Sequence, residues 1–512
     1  MAAGIFLSRI FGLVRNSVLA DAFGASAVAD AYTLALRIPN FLQNLLGEGA
    51  LSASFIPVYA QLRARGEHEE AGRVAGAVLA LLALLTAVLV LVGLLVTPQL
   101  VSLLAPGFEG EKRELTIRLV RVFFPGIGLL VISAWCLGIL NSHRRFLLSY
   151  AAPVAWNVAI IATLFWYRDR VGMVDLAVAA AWGSVAGALL QVLVQLPTVL
   201  RLERGLRLGL RGTSAHVRTV VRNFGPTVLS RGVVQISAMV DTIIASLLGN
   251  GAAAALGYAQ QLSTLPVSLF GMSVSAAELP AMSSAIGSRE EIAAALRARL
   301  DGGLRRVAYF VVPSAAAFLF MGDAIARAIL QGGKFTAADT RLVWGILAGS
   351  AIGLLATTMG RLYSSAFYAL KDTRTPMHYA VVRIALTMVL GYLVALHLPS
   401  RLGLASQWGA AFLTTVAGVV GWLEFALLRR GVQRVVGHTG VPAAQLARLW
   451  GAALAGAAVG IGAKLAPGMD GRVGSLLAVG LYGLTYVGVT LLLRVPEADA
   501  LVSAVRRRRR RG

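Results

Sequence analysis

The chain has 512 residues, of which 57% are hydrophobic and 14% are charged, and its mean hydropathy is +0.74. This composition predicts a protein that crosses a membrane many times. The formal net charge of +23 does not indicate nucleic-acid binding, because the basic residues lie in short loops between apolar runs and in the tail Arg506–Arg511.

The sequence shows no pattern typical of a catalytic or metal site. The single cysteine, Cys136, lies within an apolar run, and the six histidines lack metal-ligand spacing. Gly332-Gly333-Lys334 lacks the preceding glycine and the following Ser or Thr of a phosphate-binding loop, so we do not expect ATP-driven transport by this chain alone. We therefore predict a protein that is not an enzyme and has no metal and no cofactor.

About fourteen apolar segments are each near or above the length that a bilayer requires. They run roughly over residues 3–22, 27–60, 74–97, 115–141, 146–167, 174–200, 219–248, 252–284, 305–330, 342–369, 376–398, 403–428, 444–466 and 473–494. Lysine and arginine are concentrated in alternate loops, which predicts a multi-pass inner-membrane protein with both termini in the cytoplasm. The first segment contains arginines and no cleavage site follows it, so we expect no cleavable signal peptide.

The order of these segments predicts two halves. A Leu-Ser-Arg motif ending at Arg9 recurs in the seventh segment, ending at Arg231. Six spans followed by a similar six indicate parallel repeats. We therefore predict an all-α fold of two six-helix lobes related by a pseudo-two-fold axis, followed by two extra helices. The predicted parts are an N-terminal lobe (1–200), a basic linker (201–222), a C-terminal lobe (223–430) and the two extra helices with a polybasic tail (431–512).

The second segment carries a polar stripe along one helix face, because its polar residues recur every three, four or seven positions. The stripe consists of Asp30, Thr33, Arg37, Asn40, Asn44, Glu48 and Ser52. Pro39, Gly47 and Gly49 are expected to interrupt the helix, and such interruptions are tolerated where a helix borders a cavity. The stripe thus predicts a wet cavity lining, although polar contacts between helices would produce the same pattern.

The first segment holds Arg9 and Arg15, which lie about 9 Å apart in rise and roughly 120° apart around a helix. An ionisable group at mid-bilayer costs at least ~2.5–3.5 kcal/mol, so these arginines are expected to flank the same cavity. Snorkelling to the membrane interface is the alternative for both. Guanidinium binds phosphate through paired hydrogen bonds, and the cationic lining therefore predicts a phosphate-bearing substrate.

Substrate-binding candidates from this pattern are Arg9, Arg15, Asp30, Arg37, Asn44, Glu48 and Arg231. Asp241, in the seventh segment, is a candidate for a coupling cation or for balancing the arginine charges. Arg361, Arg383 and Glu424 also lie in apolar runs, and we expect structural pairing among them.

Five stretches carry a resemblance to a known family. They are SRIFGLVR, FGAS-x-x-ADAY, RIPNFLQNLLGEGALSASFIPVY, GGKFTAADT (332–340) and FYALKDTRTP (367–376). At these residues the chain resembles the MurJ/MviN family of lipid II flippases, in the multidrug/oligosaccharidyl-lipid/polysaccharide exporter superfamily, over essentially its whole length. The resemblance implies an alternating-access cavity between two lobes, where arginines take the pyrophosphate of an undecaprenyl-linked disaccharide-pentapeptide. It assigns functional positions to Arg9, Arg15, Asp30 and Glu48.

The chain departs from that family at three places. Asn16 stands where an acidic residue is common, Gln43 where an arginine is usual, and Gln260-Gln261 where an Asp-Arg pair is usual. Gln261 is therefore a further substrate-binding candidate, with Arg37 and Arg231 available to supply the missing charge. Asp241 matches an aspartate through which some members bind sodium, but the eleventh segment offers Arg383 and no carboxylate.

Together, these features predict a monomeric flippase that moves lipid II from the cytoplasmic to the periplasmic leaflet for cell wall biogenesis. Its expected partners are lipid II, membrane lipids and a coupling cation. Two alternatives stay open, namely a flippase for another polyprenyl-pyrophosphate glycan and a non-transporting scaffold that recruits cell-wall enzymes. A drug antiporter would need an acidic cavity, whereas this lining is basic.

Overall fold

The computed structural model describes the backbone of residues 2–203, 205–206, 209, 215–283 and 288–509. Within these ranges, the side chains of 2–6, 39, 48, 229–238, 276, 281, 289, 502 and 504–509 lie outside the description. The described backbone is helical and has no strand, only one isolated bridge between Gly332 and Phe335. It divides into two compact units, Met1–Ala254 with Gly332–Phe335 (unit 1) and Ala255–Gln331 with Thr336–Gly512 (unit 2).

Unit 1 is built from ten helices and the first turn of an eleventh. These are α1 (Ala2–Phe23), α2 (Ala27–Leu46), α3 (Glu48–Ser54), α4 (Ile56–Ala64), α5 (His68–Leu95), α6 (Thr97–Leu104), α7 (Gly110–Ser142), α8 (Phe146–Tyr167), α9 (Met173–Leu202), α10 (Ala215–Ser246) and the start of α11 (Ala252–Pro266). The long helix α7 lies at the centre and packs against α2, α5 and α9. Its inner face accordingly contains many fully buried residues.

Unit 2 contains the rest of α11 and nine further helices. These are α12 (Ser273–Ser283), α13 (Arg289–Phe320), α14 (Gly322–Ile329), α15 (Ala337–Ala369), α16 (Arg374–Arg401), α17 (Gly409–Val436), α18 (Ala443–Lys464), α19 (Arg472–Leu492) and α20 (Pro496–Arg509). A π-helical segment (Val267–Met272) and a short 3-10 turn (Ser406–Trp408) lie between them. Helix α15 packs mainly on α17 and α13.

Eleven helical stretches in the described part are long and apolar enough to cross a membrane. The three other segments predicted from the sequence correspond to α1, α2 to α4, and α10, and they are helical too. The all-α polytopic fold is therefore confirmed. The lobe limits at 200 and 430 stay a prediction. The compact units divide the chain after Ala254 instead, and α10, which packs on α2 and α3, belongs to unit 1.

The predicted interruptions of the second segment have different outcomes. Helix α2 ends before Gly47, where an added Cβ would lie 2.6 Å from the carbonyl oxygen of Gln43, so a side chain cannot be accommodated. At Pro39 the prediction was wrong, because α2 continues through this residue. A proline removes one backbone donor, and this loss alone does not end the helix here.

Small residues allow the close packing of the two extra helices, α18 and α19. An added Cβ at Gly456 would lie 2.9 Å from the carbonyl oxygen of Tyr482, and one at Gly460 would lie 2.8 Å from the Cε atom of Met321. Tyr482 and Met321 belong to a buried cluster that joins these helices to α13. Gly456 therefore lets α18 approach α19 closely, and Gly460 leaves room on α18 for the side chain of Met321.

Candidate substrate-binding site in unit 1

Arg15 is held in a defined orientation on α1. Its Nε and Nη2 atoms donate hydrogen bonds to Asn16 Oδ1 at 3.2 and 3.0 Å. Its guanidinium carbon lies 4.8 Å from the ring centroid of Trp156, on α8. Cation–π contacts of this kind contribute about 0.5–2 kcal/mol. Asn16 and Trp156 are neutral, so together they orient the guanidinium without cancelling its charge.

Arg9 has a different setting from Arg15. Its side chain is exposed, whereas that of Arg15 is partly buried. Both residues belong to α1, which packs on α8. Neighbouring groups of unit 1 thus set the direction of the Arg15 guanidinium. In the described part of the chain, no carboxylate lies within salt-bridge distance of it.

Arg37 interacts electrostatically with the candidate cation residue Asp241. Its Nη1 atom donates to the hydroxyl of Thr242, a buried residue on α10. The carboxylate of the adjacent Asp241 interacts electrostatically with the same guanidinium. Helices α2 and α10 thus bring together two residues that the sequence separates by about two hundred positions, and a positive charge already lies beside Asp241.

Asp30 is completely buried, with 0% of its surface exposed. One carboxylate oxygen accepts hydrogen bonds from Lys112 Nζ at 2.6 Å and from the Gly251 backbone at 2.7 Å. The other accepts from the Ala254 backbone N–H, also at 2.7 Å. Lys112 in addition donates to Asn250 Oδ1 at 3.1 Å. We name these four residues around Asp30 the Asp30 clamp.

The clamp satisfies backbone donors at the start of α11, which have no partner within their own helix. Asp30 therefore has a helix-capping role in the structure. Its substrate-binding role stays a prediction. Sequence reasoning missed Lys112 as its partner, because the lysine lies 82 positions away and has the appearance of an ordinary loop cation.

The contacts of Asp21, at the end of α1, were also missed by sequence reasoning. Its carboxylate forms a salt bridge of 3.0 Å with Arg168. Its carbonyl oxygen accepts a hydrogen bond of 2.8 Å from the Lys334 backbone. Gly333 has φ +50°, and an added Cβ would lie 2.4 Å from that oxygen, so glycine is required here. This contact explains the second glycine, Gly333, of the GGKFTAADT stretch.

The remaining candidates are less well defined. Asn44 is exposed on α2, and Gln261 is partly buried on α11 in unit 2. The side chains of Glu48 and Arg231 lie outside the described residues. In unit 2, the predicted pairing is confirmed for Arg383 and Glu424, whose Nε and Oε2 atoms are 3.0 Å apart.

Within the described part of the chain, no group of three or more His, Cys, Asp or Glu could hold a metal ion. The chain thus combines many apolar spans with arginines and carboxylates inside them, and several of these charges have specific partners. Intramembrane charges of this kind mark transport pathways. The fold and the charges define a multi-pass membrane transporter.

Comparisons with known proteins agree with this class. The family model "Lipid II flippase MurJ" matches residues 19–481. The lipid II flippase MurJ of Burkholderia cenocepacia is 32% identical over 435 residues, covering 84% of this chain and 81% of that protein. The probable lipid II flippase MurJ of Rhizobium tropici is 32% identical over 434 residues, covering 83% and 79%. The chain belongs to the MurJ family of lipid II flippases, which are multi-pass proteins of the bacterial inner membrane.

Solved structures show the same fold. A structure described as lipid II flippase MurJ in an inward closed conformation superposes with a TM-score of 0.76 at 24% identity, covering 96% of this chain and 98% of that one. A multidrug resistance transporter of the MATE family, in the MOP superfamily, superposes with a TM-score of 0.66 at 19% identity, covering 83% and 96%. At these identities, the superpositions establish the architecture alone.

Proposed function

We propose that this chain moves lipid II from the cytoplasmic to the periplasmic leaflet of the inner membrane by alternating access, and so supplies cell wall biogenesis. Family membership supports the substrate. The observation that carries the mechanism is the setting of Arg15, whose charge has no salt-bridge partner in the described part and whose direction is set by Asn16 and Trp156. The pyrophosphate of the substrate is the complementary group.

The geometry at Arg15 leaves hydrogen-bonding capacity for a ligand. A guanidinium has five N–H donors, and Asn16 takes one from Nε and one from Nη2. The other donors are available to bind phosphate oxygens while the guanidinium stays in cation–π contact with Trp156. Pre-orientation of this kind lowers the entropy lost on binding.

We further propose that the membrane potential drives the cycle. Moving one charge across 100 mV supplies about 2.3 kcal/mol. A coupling cation at Asp241 is the alternative, but it would have to compete with the guanidinium of Arg37. Both termini are proposed to lie in the cytoplasm, and the protein is proposed to act as a monomer.

Other functions have less support. A flippase for a different polyprenyl-pyrophosphate glycan was suggested by the neutral Gln43 and Gln261, yet the similar proteins are lipid II flippases. A scaffold without transport activity would not need an oriented guanidinium inside a span.

The test is rescue of a bacterium whose own lipid II flippase has been shut off. The parent chain is expected to restore growth, and the Arg9→Ala/Arg15→Ala double variant is expected to fail at matched membrane levels. Arg65→Ala is the matched control, because this arginine is exposed in the loop after α4, and it should rescue fully.

The outcomes separate the function from the site. Rescue by both the parent and the double variant would retain the function and reject Arg9 and Arg15 as its site. If neither rescues, direct binding of lipid II to the purified protein decides. If the purified protein does not bind lipid II but does bind another polyprenyl-pyrophosphate glycan, the proposed substrate would be overturned.

A further inference from the structure

A notch of about 520 Å³ opens on the surface of unit 1 between α7 and α9. Its lining consists of Glu114, Ile117, Arg118, Arg121, Val122 and Trp182. The two arginines lie about 12 and 17 Å in rise from the first residue of α7, and Trp182 lies about 14 Å from the first residue of α9. Both helices start at the predicted periplasmic end, so Trp182 lies at a depth between those of the two arginines.

The arginines of the notch are exposed. Arg118 and Arg121 are three positions apart on α7, which places them one above the other on the same side of the helix. Among the described residues, neither guanidinium has a salt bridge or a side-chain hydrogen bond, although Glu114 lies one turn away. Two neighbouring guanidinium groups that form no salt bridge with a described residue are suited to bind a phosphate.

The surface below the notch is apolar. Trp182, Leu189 and Leu193 follow one another along a single stripe of α9, spaced at about two turns and one turn. Their exposed fractions are 55%, 46% and 51%. Exposed apolar side chains on a membrane-spanning helix contact hydrocarbon chains. Leu189 lies near the midpoint of α9 and Leu193 lies one turn beyond it, so the part of the stripe from Trp182 to Leu189 runs from the depth of the arginines to the middle of the bilayer.

We propose that this notch binds the headgroup of an anionic glycerophospholipid in the outer leaflet of the inner membrane. The phosphate lies between Arg118 and Arg121, the indole of Trp182 lies beside the glycerol region, and the acyl chains follow the stripe of α9. The indole of Trp182 can contact both regions, because its ring is apolar and its N–H is polar. The site is separate from the residues assigned to lipid II transport.

Acidic neighbours set the position of the anion. Glu114 lies one turn closer to the start of α7 than Arg118. Glu109 and Glu111 lie farther still in that direction, around a second cavity that Arg118 also borders. Repulsion from these carboxylates keeps the phosphate on the membrane side of Arg118, between Arg118 and Arg121. Two arginines against one glutamate leave the notch itself with a net positive charge.

Trp182 provides the measurement. The purified protein is placed in phosphatidylcholine vesicles that contain either brominated phosphatidylglycerol or brominated phosphatidylcholine, and the quenching of tryptophan fluorescence by the bromine atoms is measured. The same measurement on the Trp182→Phe variant isolates the contribution of Trp182. One net positive charge at the surface is worth about 1 kcal/mol, so Trp182 should prefer the anionic lipid roughly fivefold. Arg118→Gln/Arg121→Gln should abolish this preference, and Glu114→Gln should increase it severalfold.

Two controls protect the interpretation. Arg113→Gln changes an arginine of the same helix that does not line the notch, and it should keep the preference. Quenching by brominated phosphatidylcholine should be the same in every variant that keeps Trp182, which shows that the fold around Trp182 is intact. Equal quenching by the two lipids in the parent, or a preference that persists without both arginines, would overturn the proposal.

Discussion

The Asp30 clamp gives a quantitative prediction about stability. Asp30→Ala removes the acceptor of two backbone N–H groups and of Lys112, whose side chain is only 10% exposed. Leaving one partner of a buried ion pair unpaired costs about 3–5 kcal/mol. A lost hydrogen bond to a charged group costs about 1.5–3 kcal/mol, but the three bonds share one carboxylate and overlap with the first figure. We therefore expect Asp30→Ala to lower the free energy of unfolding by roughly 3–5 kcal/mol.

The single cysteine provides a local reporter. Cys136 is completely buried on α7, in the same unit as the clamp, so a thiol-reactive dye labels it only when unit 1 opens. One kcal/mol shifts the unfolding temperature of a 150–250-residue domain by about 2–4 °C. In the Asp30→Ala variant, the temperature at which half of Cys136 is labelled should therefore fall by roughly 6–20 °C at a fixed heating rate. Asp169→Ala is the control, since the carboxylate of Asp169 is 89% exposed, and it should leave the midpoint unchanged.

A double-mutant cycle tests the cause of the loss. Lys112→Met removes the charge that Asp30→Ala leaves unpaired, so the double variant should be less destabilised than the two single effects add up to. Strict additivity would refute the clamp as the source of the effect. A shift below about 2 °C for Asp30→Ala would refute the estimated magnitude.

Two further predictions concern other parts of the fold. Burial, and then the positive charge of Arg63, lower the pKa of His143, which follows α7. The unfolded chain then takes up a proton first, so stability is lost as the pH falls below about 6.5. His143→Gln should flatten this decline in the thiol-labelling assay, and an unchanged slope would argue against His143 as its source. In unit 2, an added Cβ at Gly353 would lie 2.4 Å from the Gly418 Cα, so Gly353→Leu should destabilise the protein by about 1–3 kcal/mol or more. Tryptophan fluorescence on heating measures the unfolding temperature. Gly480→Leu is the control, because an added Cβ there meets nothing within 4 Å. Equal unfolding temperatures for the two variants would contradict the packing argument.

Local patterns predicted much of the architecture. Apolar runs of membrane-spanning length indicate helices wherever they occur, because only a helix or a closed barrel satisfies every backbone group in hydrocarbon. The end of α2 at Gly47 also followed from a local feature. Pro39 did not end the helix, which shows that the strength of a single helix-breaking residue depends on the surrounding structure.

Long-range contacts could not be predicted in the same way. Asp30 was identified as an unusual charge in a span, but its partners Lys112, Gly251 and Ala254 lie 82, 221 and 224 positions away. Nothing in their local pattern connects them to Asp30. The partnership of Asp21 with Arg168 was missed for the same reason.

The sequence by itself determined that this chain is a helical, multi-pass membrane protein with arginines and carboxylates inside its spans, and its motifs already indicated the flippase family. Only the tertiary structure decided which of those charges have partners. Arg37 and Asp30 are engaged by groups on distant helices, whereas Arg15 is oriented by neutral neighbours. The physical reason is that the energy of a charge in a low-dielectric interior depends on groups within a few ångströms, and helix packing, not sequence proximity, determines which groups those are.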